Sequence, residues 1–177
     1  DVMGREGWVR VYKRDGATKV VQLTAEKLTE YCRVTGATRA SAENILSYYA
    51  TGATESILAG MFARKVFLVE GPTEALALPV YLSNVGLNPT QAGIAITPVG
   101  GKGSLARWWR LFTAFDIPCY ISFDNDRKDD PGGMKRADAL VAVGFQGDSS
   151  YFMQSEEMEV EHTFTVFGNE FEPCMKR

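Results

Sequence analysis

The chain has 177 residues, enough for one domain plus an attached piece. At 45% hydrophobic and 23% charged, with no low-complexity tract or repeat, it can bury a sizeable core and does not read as disordered. A net charge of −3 argues against a module that merely coats nucleic acid, but not against an acidic region that meets phosphate through cations.

The sequence opens at Asp1 with no basic-then-apolar stretch, which reads as no signal peptide, and charges such as Arg64 and Lys65 break every apolar run before it could span a membrane. Cys32, Cys119 and Cys174 are odd in number and far apart, with no CxxC pair. That argues against a zinc knuckle and fits reduced thiols in a cytoplasmic protein. His162 is the single histidine, which argues against a multi-histidine metal site, and it is assigned no role.

WVRVY (8–12) and KVVQL (19–23) flank an Asp-Gly turn and predict a β-hairpin. A helix is expected over 24–33, and a second helical stretch from Ser41 to Ala63 that bends or splits at Gly52 or Gly60. VFLV (66–69), wholly apolar and β-branched, predicts a buried parallel strand. Pro72 suits the first turn of a helix running to Asn84, within which Pro79 should kink or interrupt it. IAITPV (94–99) is the next strand, GGKGS (100–104) a loop, and 104–115 an aromatic-rich helix whose Trp108 and Trp109 serve packing. Ser104 is read as its cap. CYISF (119–123) is a third strand, 133–143 a helix, and FTVF (164–167) a fourth strand.

This alternation is the pattern of an α/β fold, a parallel sheet with helices on both faces, in which ligands sit beyond the carboxyl ends of the strands. Acidic residues fall at those ends: Glu70 after the first strand, Asp124 and Asp126 after the third, Glu170 and Glu172 after the fourth. Glu74 lies one helical turn beyond Glu70, and Gly71 is read as the tight turn that leaves room beside it. Each acid alone fits a solvated helix start or a turn. Gathered together they repel, unless protons or a cation intervene. Oxygen-only donors select Mg²⁺ or Mn²⁺, and two such ions about 3.5–4 Å apart form a phosphodiester-cleaving arrangement. Lys102 with Gly101 could touch phosphate, and Arg127 and Lys128 could steer DNA or simply balance Asp129 and Asp130. Glu156, Glu157, Glu159 and Glu161 read as a solvated acidic stretch. Residues 141–177 carry seven acids against two bases, whereas residues 1–50 carry six against eight.

VFLVEGPTE (66–74) with CYISFDNDR (119–127) resembles the TOPRIM fold, and EGPTE, the GGKGS loop and FTVFGNEFE (164–172) resemble the OLD (overcoming lysogenization defect) family of ATP-dependent endonucleases. The resemblance covers about residues 57–172. It implies a metal-dependent DNA endonuclease, with Glu70, Glu74, Asp124 and Asp126 as ligands and Glu172 as the further metal-binding acid (Glu170 or the acids of 155–157 otherwise). It further implies that residues 1–56 are the tail of an ABC-type ATPase region with connecting helices, preceding a TOPRIM nuclease domain at 57–177. Implied partners are DNA, the ATPase domain of the full-length protein and further copies of the chain; some family members act in anti-phage defence. No GxxxxGK[ST] loop occurs, so no ATP site is expected in this chain, and the family's late lysine is expected to be missing unless Lys176 serves. The alternatives are another TOPRIM activity, topoisomerase- or primase-like, for which Tyr120 in a predicted strand is poorly placed as nucleophile, and a non-catalytic docking or dimerisation module.

Overall fold

The computed structural model describes residues 7–125, 130–148, 157–168 and 170–175. Strands β1 (Trp8–Arg14) and β2 (Ala17–Leu23) pair antiparallel, with Arg14 opposite Ala17. The two residues between them, Asp15 and Gly16, both have positive φ, 53° and 78°. This is the backbone of a two-residue hairpin loop, and it explains why Asp-Gly stands there. Replacing Gly16 by alanine puts a Cβ into the left-handed region and is expected to cost about 1 kcal/mol, read as a lower urea midpoint.

Helix α1 (Ala25–Val34) starts on Thr24, whose hydroxyl accepts from the Lys27 amide at 3.3 Å. The expected long helix is two: α2 (Ile45–Gly52) and α3 (Glu55–Gly60), the second capped by Thr54. Gly52 ends the first of them, where its poor helix propensity and the new cap at Thr54 outweigh continuation. Next come β3 (Lys65–Val69), α4 (Pro72–Asn84), a short α5 (Pro89–Ala92) and β4 (Ile94–Pro98). Pro79 neither ends nor splits α4; it removes a single amide donor, and the helix continues on both sides of it. A 3₁₀ turn (Lys102–Ser104) then feeds α6 (Leu105–Ala114), followed by β5 (Cys119–Asp124), α7 (Met134–Ala142), β6 (Glu159–Val160), β7 (Phe164–Phe167) and α8 (Phe171–Met175).

The main sheet runs β4-β3-β5-β7-β6. Its first four strands are parallel, as expected, but β6 is antiparallel to β7 at the edge. That edge strand lies in the acidic stretch read as solvated: Glu157 and Glu161 are exposed, while Glu159 is half-buried opposite Val166. Two residues carry too little alternation to announce a strand.

Helix α6 supplies much of the core, burying Leu105, Trp108, Trp109 and Phe112. Leu23, Leu28, Ile45, Tyr49 and Ile57 from the first part of the chain join Val66, Leu68 and Ile121 of the sheet in one continuous apolar cluster. The hairpin is also tied down, because the Arg10 guanidinium donates to the carbonyls of Met61, Ala63 and Phe115. A second cluster, Val69, Leu78, Phe167 and Phe171, joins α4 and α8 to the carboxyl ends of β3 and β7, which is where the acids are. Among the described residues no helix is long and apolar enough to cross a membrane.

Candidate metal centre

Parallel register aligns the ends of β3 and β5, so Glu70 and Asp124 leave neighbouring strands at the same rim. Glu70 organises that rim. Its Oε1 accepts from the Asp124 amide at 2.7 Å, its Oε2 accepts from the Lys102 amide at 2.9 Å, and its carbonyl accepts from the Gly101 amide at 2.8 Å. One side chain thus holds the strand end of β5 and the glycine loop after β4. The loop needs its glycines: Gly100 and Gly101 have φ of 78° and 111°, a region costly to residues bearing a Cβ.

Glu74 is 7% exposed, and its Oε2 accepts from the Gly71 amide at 3.2 Å, closing the first turn of α4. Gly71 itself is extended (φ −142°), so no tight turn is made there; what the glycine leaves is space, since a Cβ would stand 3.4 Å from Glu74 Oε2. Ser104 occupies the cap position of α6 but its hydroxyl caps no amide, because the 3₁₀ turn leads straight into the helix. Lys102 is 5% exposed.

Burial raises the Asp124 carboxyl to about 7, and the charges of Glu70, Glu74 and Glu172 push in the same direction against the pull of Lys102. Burial also raises Glu70, opposed by the amides of Asp124 and Lys102 and by the Lys102 charge. Asp124 Oδ1 is buried with no hydrogen-bond donor among the described residues. Glu172, on the first turn of α8, is exposed yet close enough to act on Asp124, whereas Glu170 is exposed with no such link among the described contacts. Four acids, two at strand ends and two in the first turns of helices, therefore share one field. Among the described residues, no three acidic, histidine or cysteine side chains enclose an ion-sized space as they stand. Asp126, Arg127 and Lys128 lie outside the described residues, as do Ser155, Glu156 and Lys176.

Two supporting residues escaped the sequence reading. Asn125, fully buried between the two aspartates, donates its amide N–H to Phe167 O at 2.8 Å, and its Oδ1 accepts from Arg136 Nη1 at 2.5 Å. Asp130 accepts from the amides of Lys135 and Arg136 at the start of α7. An acid just ahead of Pro-Gly-Gly and a helix is a legible cap signal; a buried Arg136 (1% exposed) inside a polar helix is not. Arg136→Leu removes the donor to Asn125 and is expected to cost about 1–3 kcal/mol in urea unfolding, whereas Asn125→Leu/Arg136→Leu together should cost less than Arg136→Leu alone.

Residues 61–126 match the family model described as Overcoming lysogenization defect protein-like, TOPRIM domain. This segment is similar to the OLD-like TOPRIM domain. It contains Glu70, Glu74, Lys102, Asp124 and Asp126, while Glu172 falls outside the matched residues. No curated protein matches the chain. Similar solved structures include the C-terminal region of the Xanthomonas campestris pv. campestris OLD protein (24% identity, TM-score 0.48, covering 63% of this chain and 55% of that one). Another is the C-terminal region of the Burkholderia pseudomallei OLD protein (24% identity, TM-score 0.48, 63% and 57% covered). The chain thus spans little more than half the length of these structures. The mostly parallel five-stranded sheet flanked by helices is a TOPRIM-like fold.

Proposed function

We propose that this chain is the nuclease part of an OLD-type ATPase-nuclease, a divalent-metal-dependent DNA endonuclease that hydrolyses phosphodiesters. In this reading residues 1–56 connect the TOPRIM domain to an ATPase region. The observation that carries the proposal is Asp124 Oδ1, a buried acceptor with no donor among the described residues, beside three further carboxylates that raise the pKa of its own group. A buried acceptor without a donor, in a field of like charge, is what a hard cation relieves. All available donors are oxygens, so the residues fit Mg²⁺ or Mn²⁺.

Asp124, Glu74 and Asp126 would hold metal, Glu172 would complete a second position, and Glu70 would either ligate or act as general base. Bound cations lower the pKa of water and neutralise the charge that develops on the phosphate oxygens. The chain's own contribution is placement. Glu70 accepts two amides, fixing the Asp124 backbone against the glycine loop. Lys102, buried beside this rim, supplies a positive charge at the phosphate's approach.

Calorimetric titration with Mn²⁺ is expected to show saturable binding that weakens when pH falls below 7, because protons compete for Asp124. Absence of any heat at millimolar Mn²⁺ would favour a docking or dimerisation module instead. Plasmid nicking that needs Mg²⁺ or Mn²⁺ is the matching activity assay, and a covalent protein–DNA adduct would point to strand passage.

A further inference from the structure

A cavity of about 370 Å³ opens between α1, α2 and α6 and shares no lining residue with the acidic rim. Arg39, Arg107 and Arg110 line it together with Tyr48 and Tyr49, and among the described residues no aspartate or glutamate does. On a chain of net charge −3, a concave site with this lining is unusual and asks for an anion.

The three arginines are not equivalent. Arg110 is already satisfied: it pairs with Asp138 at 2.6 Å and donates twice to Thr35 O, so it forms a wall. Arg107 lies flat on aromatic surface, 3.8 Å from the Tyr48 ring centre and 4.6 Å from that of Trp108, and donates to Tyr48 O. Gly52 makes room for it, since a Cβ there would stand 2.3 Å from Arg107 Nη2. Arg39 is an exposed part of the lining. Among the described residues neither Arg39 nor Arg107 has a carboxylate within ion-pair distance, so neither charge is matched by an anion there. Tyr48 is 53% exposed although Arg107 covers part of it, which leaves ring surface for a flat ligand. Asn44, at the start of α2, makes no capping bond with its side chain, and Ser41 lies beside it on the same wall.

We propose that this cavity binds a nucleoside phosphate. The phosphate lies between Arg39 and Arg107, which suit bidentate recognition of its oxygens. The base stacks on Tyr48, and Ser41 and Asn44 hydrogen-bond its edge or its sugar. The volume suits one nucleotide. The same chemistry is offered by a free nucleotide and by one unit of a single strand. The inference stands independently of the metal-centre reading, because it uses none of the rim acids.

The test is binding of adenosine 5′-monophosphate and of a short oligodeoxyadenylate to the whole chain in EDTA, which silences any metal-dependent contact. Arg39→Gln and Tyr48→Leu, both at exposed positions, are compared with the wild type after circular dichroism confirms their folds. The expected result is that each variant weakens binding at least about tenfold, the scale of one charge-assisted hydrogen bond or one stack, and that adenosine binds more weakly than its monophosphate. Binding of the monophosphate identifies a free nucleotide as sufficient; binding of the oligonucleotide alone, lost in the variants, identifies a strand. The proposal is overturned if the wild type binds neither probe at millimolar concentration, if the variants bind as tightly as the wild type, or if adenosine binds as tightly as its monophosphate.

Discussion

Asp124→Asn is expected to remove Mn²⁺-dependent plasmid nicking and, in the metal-free protein, to raise stability at neutral pH. Both effects come from one charge. The carboxyl is pushed up to about 7 by burial and then by Glu70, Glu74 and Glu172, so ionising it in the folded state costs free energy. In the unfolded chain it ionises near its ordinary value of 3.8. Between those limits the folded protein holds a proton that the unfolded chain has released. The stability this provides is fully present below about pH 4 and is lost as pH rises through about 7. The wild type without metal should therefore melt at progressively lower temperature over that window, with Glu70, also raised, contributing in the same direction. Asparagine cannot ionise, so the slope flattens. The same substitution removes an anionic oxygen from the proposed metal site. Changes merely adjacent to metal ligands cost about 10–100-fold in affinity or activity, and loss of a ligand charge should cost at least the upper figure. Melting curves from pH 4 to 8, with and without Mn²⁺, and a nicking assay at pH 8 check both halves. A variant that nicks like the wild type, or a wild-type melting temperature indifferent to pH, would remove the reading of this rim.

Much of this rim was legible because topology does the assembling. Short β-branched runs, each ending in an acid, imply parallel strands, and parallel strands bring their carboxyl ends together whatever the sequence separation. Glu70 and Asp124 needed nothing more than that. What was not legible is how the rim is held. Glu70 was read as a ligand or base, yet its oxygens are bonded to the amides of Asp124 and Lys102, a relation between loops 54 and 32 residues apart that no local pattern encodes. Asn125 and Arg136 failed to register for the opposite reason. A polar residue between two acids and an arginine in a polar helix both read as surface, and only packing against β7 and α7 buries them. Likewise β6, two residues long, gave no periodicity, and Gly71 invited a turn where the chain is simply extended.

Phe112→Ala is expected to be the most damaging substitution outside the rim, at about 3–5 kcal/mol. Phe112 is fully buried in the last turn of α6, and its ring fills the place that Gly60 leaves open: a Cβ on Gly60 would stand 2.9 Å from the ring. Gly60 closes α3, so the ring joins the first part of the chain to the helix that follows the glycine loop. Truncation opens a cavity between elements that are each held by other contacts and so cannot collapse into it fully. Against a typical total of about 5–15 kcal/mol, that loss takes a domain of this size close to its unfolding threshold. Mn²⁺ gives a way to tie this core position to the rim. A ligand present at about a hundred times its dissociation constant adds about 2.7 kcal/mol to a folded protein that binds it, wherever the damage lies. The urea midpoint of Phe112→Ala should therefore recover partly when Mn²⁺ is added, while Phe112→Ala/Asp124→Asn should recover little. Equal recovery in both would mean that the ion binds elsewhere than at Asp124, and no recovery in either would mean that the folded chain does not hold it.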